Sequence, residues 1–191
     1  MVSQIADRSI LQPYIKDGVV DYQQLSSDKW LQEKILELEI TEIPYNRGLD
    51  ELSFWLDAYN LLTLKAVSDK LKNDPNWKGN LSLWSKIKFF YLTKHLVANR
   101  KISLYTLENK ILRKRFKDPR IHFAINCASI SCPVLPGKLF SDVLLNEYLE
   151  ELTYQFINDQ HSVILKGNIL WVNRIFKWYK FNINKRGKRK F

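Results

Sequence analysis

The stretch DELSFWLDAYNLLTLKAVSDKL, residues 50–71, decides how this chain is read. Leu52, Trp55, Leu56, Tyr59, Leu62, Leu64 and Ala66 form an apolar band too wide for a simple surface helix, so the stretch is expected to be a central helix. Asp57 and Asn60 are three residues apart and lie beside one another on it. Polar groups on such a surface need partners, and two readings stand: a structural or solvent-facing pair, and one wall of a nearby pocket.

Upstream, residues 1–40 read as two short helices around Lys16-Asp17-Gly18-Val19-Val20-Asp21-Tyr22, where Asp17-Gly18 marks a turn and Asp21 caps the second helix. That helix, over 28–38, packs through Trp30, Ile35 and Leu38. Regular structure breaks at residues 44–48, PYNRG. Downstream, 72–102 is expected to be an extended connection with a short strand or hairpin. Thr106 is the expected cap of a helix with Leu107, Ile111 and Leu112 on its core face, ending before Pro119. Glu108 and Arg113, five apart on that helix, suit a tertiary salt bridge better than a helical pair.

Residues 119–137, PRIHFAINCASISCPVLPG, carry the densest set of reactive side chains. Ile121, Phe123 and Ile125 alternate with His122, Ala124 and Asn126, which predicts a buried strand running into Cys127, Ser129, Ser131 and Cys132. A constrained loop with Pro133, Pro136 and Gly137 comes next. Ser141 is the expected cap of a helix over 142–159, buried through Leu145, Leu149, Leu152 and Phe156. A hairpin over 163–172 turns at Lys166-Gly167-Asn168, and Asn173 caps a last short helix. Helices with few strands give a compact, helix-rich α+β fold with a small antiparallel sheet, one domain over 1–184.

The formal net charge is +10, and five basic side chains lie between Lys185 and Lys190, in a tail expected to be disordered. That tail suits weak contact with polyanions. Basic and aromatic residues also interleave over 84–91, where snorkelling lysines around an apolar face explain the pattern as well as nucleic-acid binding does. With no transmembrane run and no visible signal peptide, the cytoplasm is the default expectation; export stays open if a leader has been removed. Oligomeric state is not legible.

A cysteine is the natural nucleophile in this sequence. Cys127 would be activated by a helix beginning just after it, whose amides, with Asn126, would also receive an oxyanion. His122 is the nearest histidine; as a base it requires the chain to turn back sharply after Ile125, and a structural histidine is the competing reading. Ser129 could cap a helix or bind substrate. Cys132 could resolve an oxidised Cys127, although a buried, inert thiol is the commoner fate of such a residue. No fourth ligand supports a metal, and no glycine-rich phosphate loop supports a nucleotide, so no cofactor is expected.

Several ordered motifs also carry a resemblance: residues 54–60, FWLDAYN; Thr106-Leu107-Glu108-Asn109 with Ile111-Leu112-Arg113; and 119–129 with Ser131-Cys132-Pro133. Together they resemble the domain of unknown function 547 (DUF547) family, with agreement from about residue 14 to 182 that takes in 16–22 and 175–179. The resemblance implies that Tyr59, Asn60, Glu108, Arg113, His122, Asn126, Cys127 and Ser129 match the family's characteristic residues. It also invites comparison with papain-like or transglutaminase-like thiol enzymes acting on an amide, peptide or ester. The family commonly has Asn at the position of Asp57, can carry Ser at Cys132, often bears export signals, and ends in an acidic-aromatic run where this chain has Lys180-Phe181-Asn182. A non-catalytic binding or scaffold domain is the alternative.

Overall fold

The computed structural model describes residues 9–43, 45–129 and 132–178. The expected central helix is there as α3 (Leu49–Asn73), and Leu52, Trp55, Leu56, Tyr59, Leu62 and Leu64 are all buried. Against it pack α1 (Tyr22–Ser27), α2 (Trp30–Ile40) and the helix that starts as α5 (Leu104–Thr106) and widens to π pitch over Leu107–Phe116. A helix walled in on several sides must be apolar on several sides, which is why α3 shows no clean amphipathic stripe.

Three two-stranded antiparallel hairpins complete the α+β architecture among the described residues. The first, β1 (Ile15–Lys16) and β2 (Val19–Val20), turns at Asp17 and Gly18, both at positive φ. This corrects the first 40 residues: the Asp17-Gly18 turn is a hairpin tip, and both helices come after it. Asp21 does act as a cap, that of α1, its carboxylate accepting from the Gln24 amide at 3.0 Å. The second hairpin, β3 (His95–Val97) and β4 (Arg100–Ile102), turns through Ala98 and Asn99. Their amides donate to Leu38 and Glu39 carbonyls at 2.8 Å each, satisfying the open end of α2.

Residues 83–92 depart from the extended segment expected there. They form α4 (Leu83–Ile87), capped by Ser82, which continues at π pitch over Lys88–Leu92. The alternation Lys86-Ile87-Lys88-Phe89 imitates a strand, but Phe89 at 3% exposure anchors the inner side of a helix. The cap of α5 is Ser103, whose Oγ accepts from the Thr106 amide at 3.2 Å, so Thr106 lies inside the helix it was expected to start. That helix ends at Lys117 in the left-handed region, before Pro119 as expected.

Beyond the single turn α6 (Ile121–Ala124), α7 (Leu145–Asn158) buries the four expected residues, yet it begins after Leu144 with no side-chain cap; Ser141 stays outside it, buried. β5 (Val163–Lys166) and β6 (Ile169–Val172) form the expected hairpin with Gly167 at φ 60°. Asn173 then accepts from the Ile175 amide at the start of α8 (Arg174–Trp178). The basic tail lies outside the described residues. No described helix is long and apolar enough to cross a membrane.

Candidate functional site

The strand expected at 121–126 is instead the helical turn α6, with extended backbone after it at Ile125. Asp118 builds this turn: its backbone carbonyl accepts from the Ile121 amide, and its carboxylate accepts from both the amide and the guanidinium of Arg120. Arg120 also reaches Glu150 at 2.9 Å and Asn146 Oδ1 at 2.9 Å, fastening the turn to α7. Ile121, His122, Phe123 and Ala124 are all buried. With no solvent side, alternation carried no information, and a buried helical turn reads like a buried strand.

Immediately beyond, α3 takes hold of the chain at two points. Asn60, 2% exposed, donates from Nδ2 to the Ala124 carbonyl at 2.9 Å and accepts at Oδ1 from the Asn126 amide at 2.9 Å. One turn earlier, both Asp57 oxygens accept from the Phe140 amide at 3.1 and 3.2 Å. The neighbouring polar pair on α3 therefore clamps the loop between Ala124 and Phe140 where it enters and where it leaves. An Asn at position 57 retains one acceptor for Phe140, so either residue type serves there.

Between these clamps the cysteines are joined as a Cys127–Cys132 disulfide. Cys132 is thus half-buried and oxidised, which corrects the expectation of a buried, inert thiol. Asn126 braces the same loop, its Nδ2 donating to the Pro133 carbonyl and its Oδ1 accepting from the Ala128 amide, both at 2.7 Å. The Ala128 amide, an expected oxyanion donor, is occupied in this state. Ala128 sits at φ 55°, and Ser129 is exposed, with its carbonyl accepting from the Cys132 amide at 2.9 Å. Among the described residues no helix begins after Cys127 before Leu145, so activation by a helix N-terminus is absent there.

His122 lies beneath, 1% exposed. Burial lowers its pKa to about 3, the positive charge of Arg113 lowers it further, and Asp118 opposes both. The imidazole is consequently neutral over the whole physiological range. Tyr59, fully buried, donates to Glu108 at 3.2 Å, and Arg113 donates to Asn109 Oδ1 at 2.5 Å. The π pitch of their helix matters here: a wider turn brings residues five apart closer to register than an α-helix does. Among the described residues no three His, Cys, Asp or Glu side chains gather as a metal-binding set. A surface cavity of about 350 Å³, lined by Tyr22, Gln23, Ser26, Leu71, Lys72 and Pro75, lies apart from all these groups.

The residues that position the site but escaped notice in the sequence are Asp118 and Arg120. Their signal was local, an Asp-Pro-Arg run at 118–120 whose carboxylate serves the residue two positions on.

A central helix that clamps a disulfide loop through paired polar side chains, with a buried neutral histidine below, defines a cysteine-centred α+β domain. The family model described as "Protein of unknown function, DUF547" matches residues 48–157, from the N-cap of α3 to the last turn of α7, and the chain belongs to that family. The match spans every candidate site residue; the segments at 16–22 and 175–179 lie outside it. No curated protein and no solved structure matches this chain.

Proposed function

We propose that the domain performs thiol-dependent acyl chemistry on an amide, peptide or ester, with Cys127 as nucleophile and its disulfide to Cys132 as a blocked form that a thiol reductant opens. The observation that carries this reading is the construction of the Cys127 loop: a half-exposed, reactive sulfur on backbone held by Asn60, Asp57 and Asn126. Such fixing is what near-attack geometry requires.

Opening the disulfide consumes a dithiol, which leaves as its own disulfide while Cys127 and Cys132 become thiols. Cys127 sulfur then adds to the carbonyl carbon, and its proton passes to His122, whose neutral form is the proton-accepting one. Collapse of the tetrahedral intermediate breaks the bond to the amine or alcohol, which leaves with that proton. Water or a second acceptor resolves the thioester, giving hydrolysis or transfer. Asn126 and Asn60 act as positioning residues, Ser129 meets substrate at the rim, and Tyr59, Glu108 and Arg113 form the packed support.

The test is trapping. Protein held in excess dithiol, and Cys132→Ala without it, are incubated with small activated esters, and intact mass with peptide mapping locates any adduct. Acylation of Cys127 in both samples, with none in the oxidised wild type, is the expected outcome. Absence of adduct in either reduced form favours a non-catalytic binding or scaffold domain, a reading supported by the engagement of both polar atoms of Asn126 within the loop.

A further inference from the structure

The helix over 83–92 has two faces of different character. Its inner face is rooted: Phe89 stacks on Trp77 with ring centroids 6.5 Å apart and meets Phe90 edge-on at 4.9 Å, while Tyr91 stacks on Tyr105 at 4.2 Å. Its outer face carries Leu83, Trp84 and Ile87, spaced as one side of a helix, with Leu81 just before the cap and Leu92 at the far end. Leu81 is 77% exposed, Leu83 75%, Trp84 66% and Leu92 54%. Scattered exposed leucines are ordinary, whereas a contiguous set around a tryptophan calls for an occupant.

Charge selects the occupant. From Pro75 to Leu107 the chain holds no Asp or Glu, but it holds Lys78, Lys86, Lys88, Lys94, Arg100 and Lys101. Lys78, Lys86, Lys88 and Lys94 are exposed and form no salt bridge among the described residues. An apolar strip of leucine and tryptophan edged by such lysines matches an anionic bilayer surface: the aliphatic side chains enter the acyl boundary, the indole lies at the headgroups, and the ammonium groups meet lipid phosphates. A second copy would bring the same uncompensated cations face to face. A nucleic acid would use the cations but leave the leucines without apolar surroundings.

We infer that this face, centred on Leu83 and Trp84, docks the domain onto anionic phospholipid membranes as a reversible interfacial helix. The inference is independent of the thiol chemistry. Full-length protein is floated with vesicles of phosphatidylcholine containing about one-third phosphatidylglycerol, and with pure phosphatidylcholine vesicles. The expected result is salt-sensitive flotation with the anionic vesicles and little with the neutral ones. Leu83→Gln with Trp84→Gln should weaken it roughly ten-fold, as should Lys86→Glu with Lys88→Glu. These side chains are exposed, so an unchanged thermal transition verifies that each variant is folded. Failure to float with anionic vesicles overturns the proposal, as does flotation insensitive to the Leu83/Trp84 pair, which would assign binding to other basic residues. Concentration-dependent dimerisation, or nucleic-acid binding, that the pair abolishes while flotation persists would overturn it equally.

Discussion

Lowering the pH from 7 to 5 tests whether His122 is held neutral in the folded protein. Its folded pKa of about 3 lies below the ordinary 6.5, because the 1%-exposed ring is desolvated and faces the charge of Arg113. Between those two values the unfolded chain binds a proton that the native state refuses, so stability falls as pH falls through this window. Working the linkage with these two values gives a loss of about 2 kcal/mol from pH 7 to pH 5, still growing below that. Glu51 contributes little in this window: burial would raise its pKa, but Arg115, the Arg47 amide and Trp55 outweigh that and leave it lowered. His95, shifted down by burial and by Lys65, acts in the same direction as His122 and must be controlled. Urea unfolding at several pH values, on wild type, His122→Gln and His95→Gln, supplies the assay. His122→Gln should lose most of the dependence, about 2 kcal/mol, even if its overall stability is lower. An imidazole titrating near 6.5 by NMR, or an unchanged slope in His122→Gln, would refute the reasoning.

The hydrogen-bond pattern sets three further outcomes. Asn60→Ala leaves the Ala124 carbonyl and Asn126 amide without their α3 partner and should cost roughly 2–4 kcal/mol in urea unfolding, about one to two for each buried group. Reducing the Cys127–Cys132 disulfide frees a short loop, so chain entropy limits the loss to about 2 kcal/mol, and calorimetry with and without reductant should show a modest shift in Tm, not unfolding. Glu51→Gln removes a fully buried charge that binds Arg115 at 2.7 Å and accepts from Trp55 and the Arg47 amide; a loss of roughly 3 kcal/mol by denaturant titration is expected.

The readable parts of this fold were those whose pattern and neighbours are local. The apolar band of α3, the Leu145–Phe156 face of α7 and the Gly167-Asn168 turn state their structure in their own residues. The misread parts had patterns that two structures share. His122 and its neighbours alternate, but a turn buried on every side gives alternation nothing to report. Lys86-Ile87-Lys88-Phe89 alternates because a π-widened helix with a single inward aromatic leaves lysines on either flank. Ser103 and Thr106 are both plausible caps one turn apart, and only the backbone chose. At the site, Asp57 and Asn60 were visible as polar groups in need of partners, but those partners lie 83, 64 and 66 residues away along the chain. The five-residue spacing of the cysteines likewise fits a resolving pair or two separate thiols until the loop's path brings them together.

The most direct test of the central claim is single-turnover acyl transfer from a small thioester to Cys127 in Cys132→Ala, measured as a function of pH and compared with the same protein carrying His122→Gln. If His122 takes the thiol proton, transfer at pH 7 should be about 100-fold faster with the histidine than without it, and no inflection should occur near 6.5, because the ring is already neutral there. If the rate instead rises about ten-fold per pH unit towards an ordinary thiol pKa near 8.5, and His122→Gln is indistinguishable, Cys127 is not an activated nucleophile and the acyl-transfer account fails.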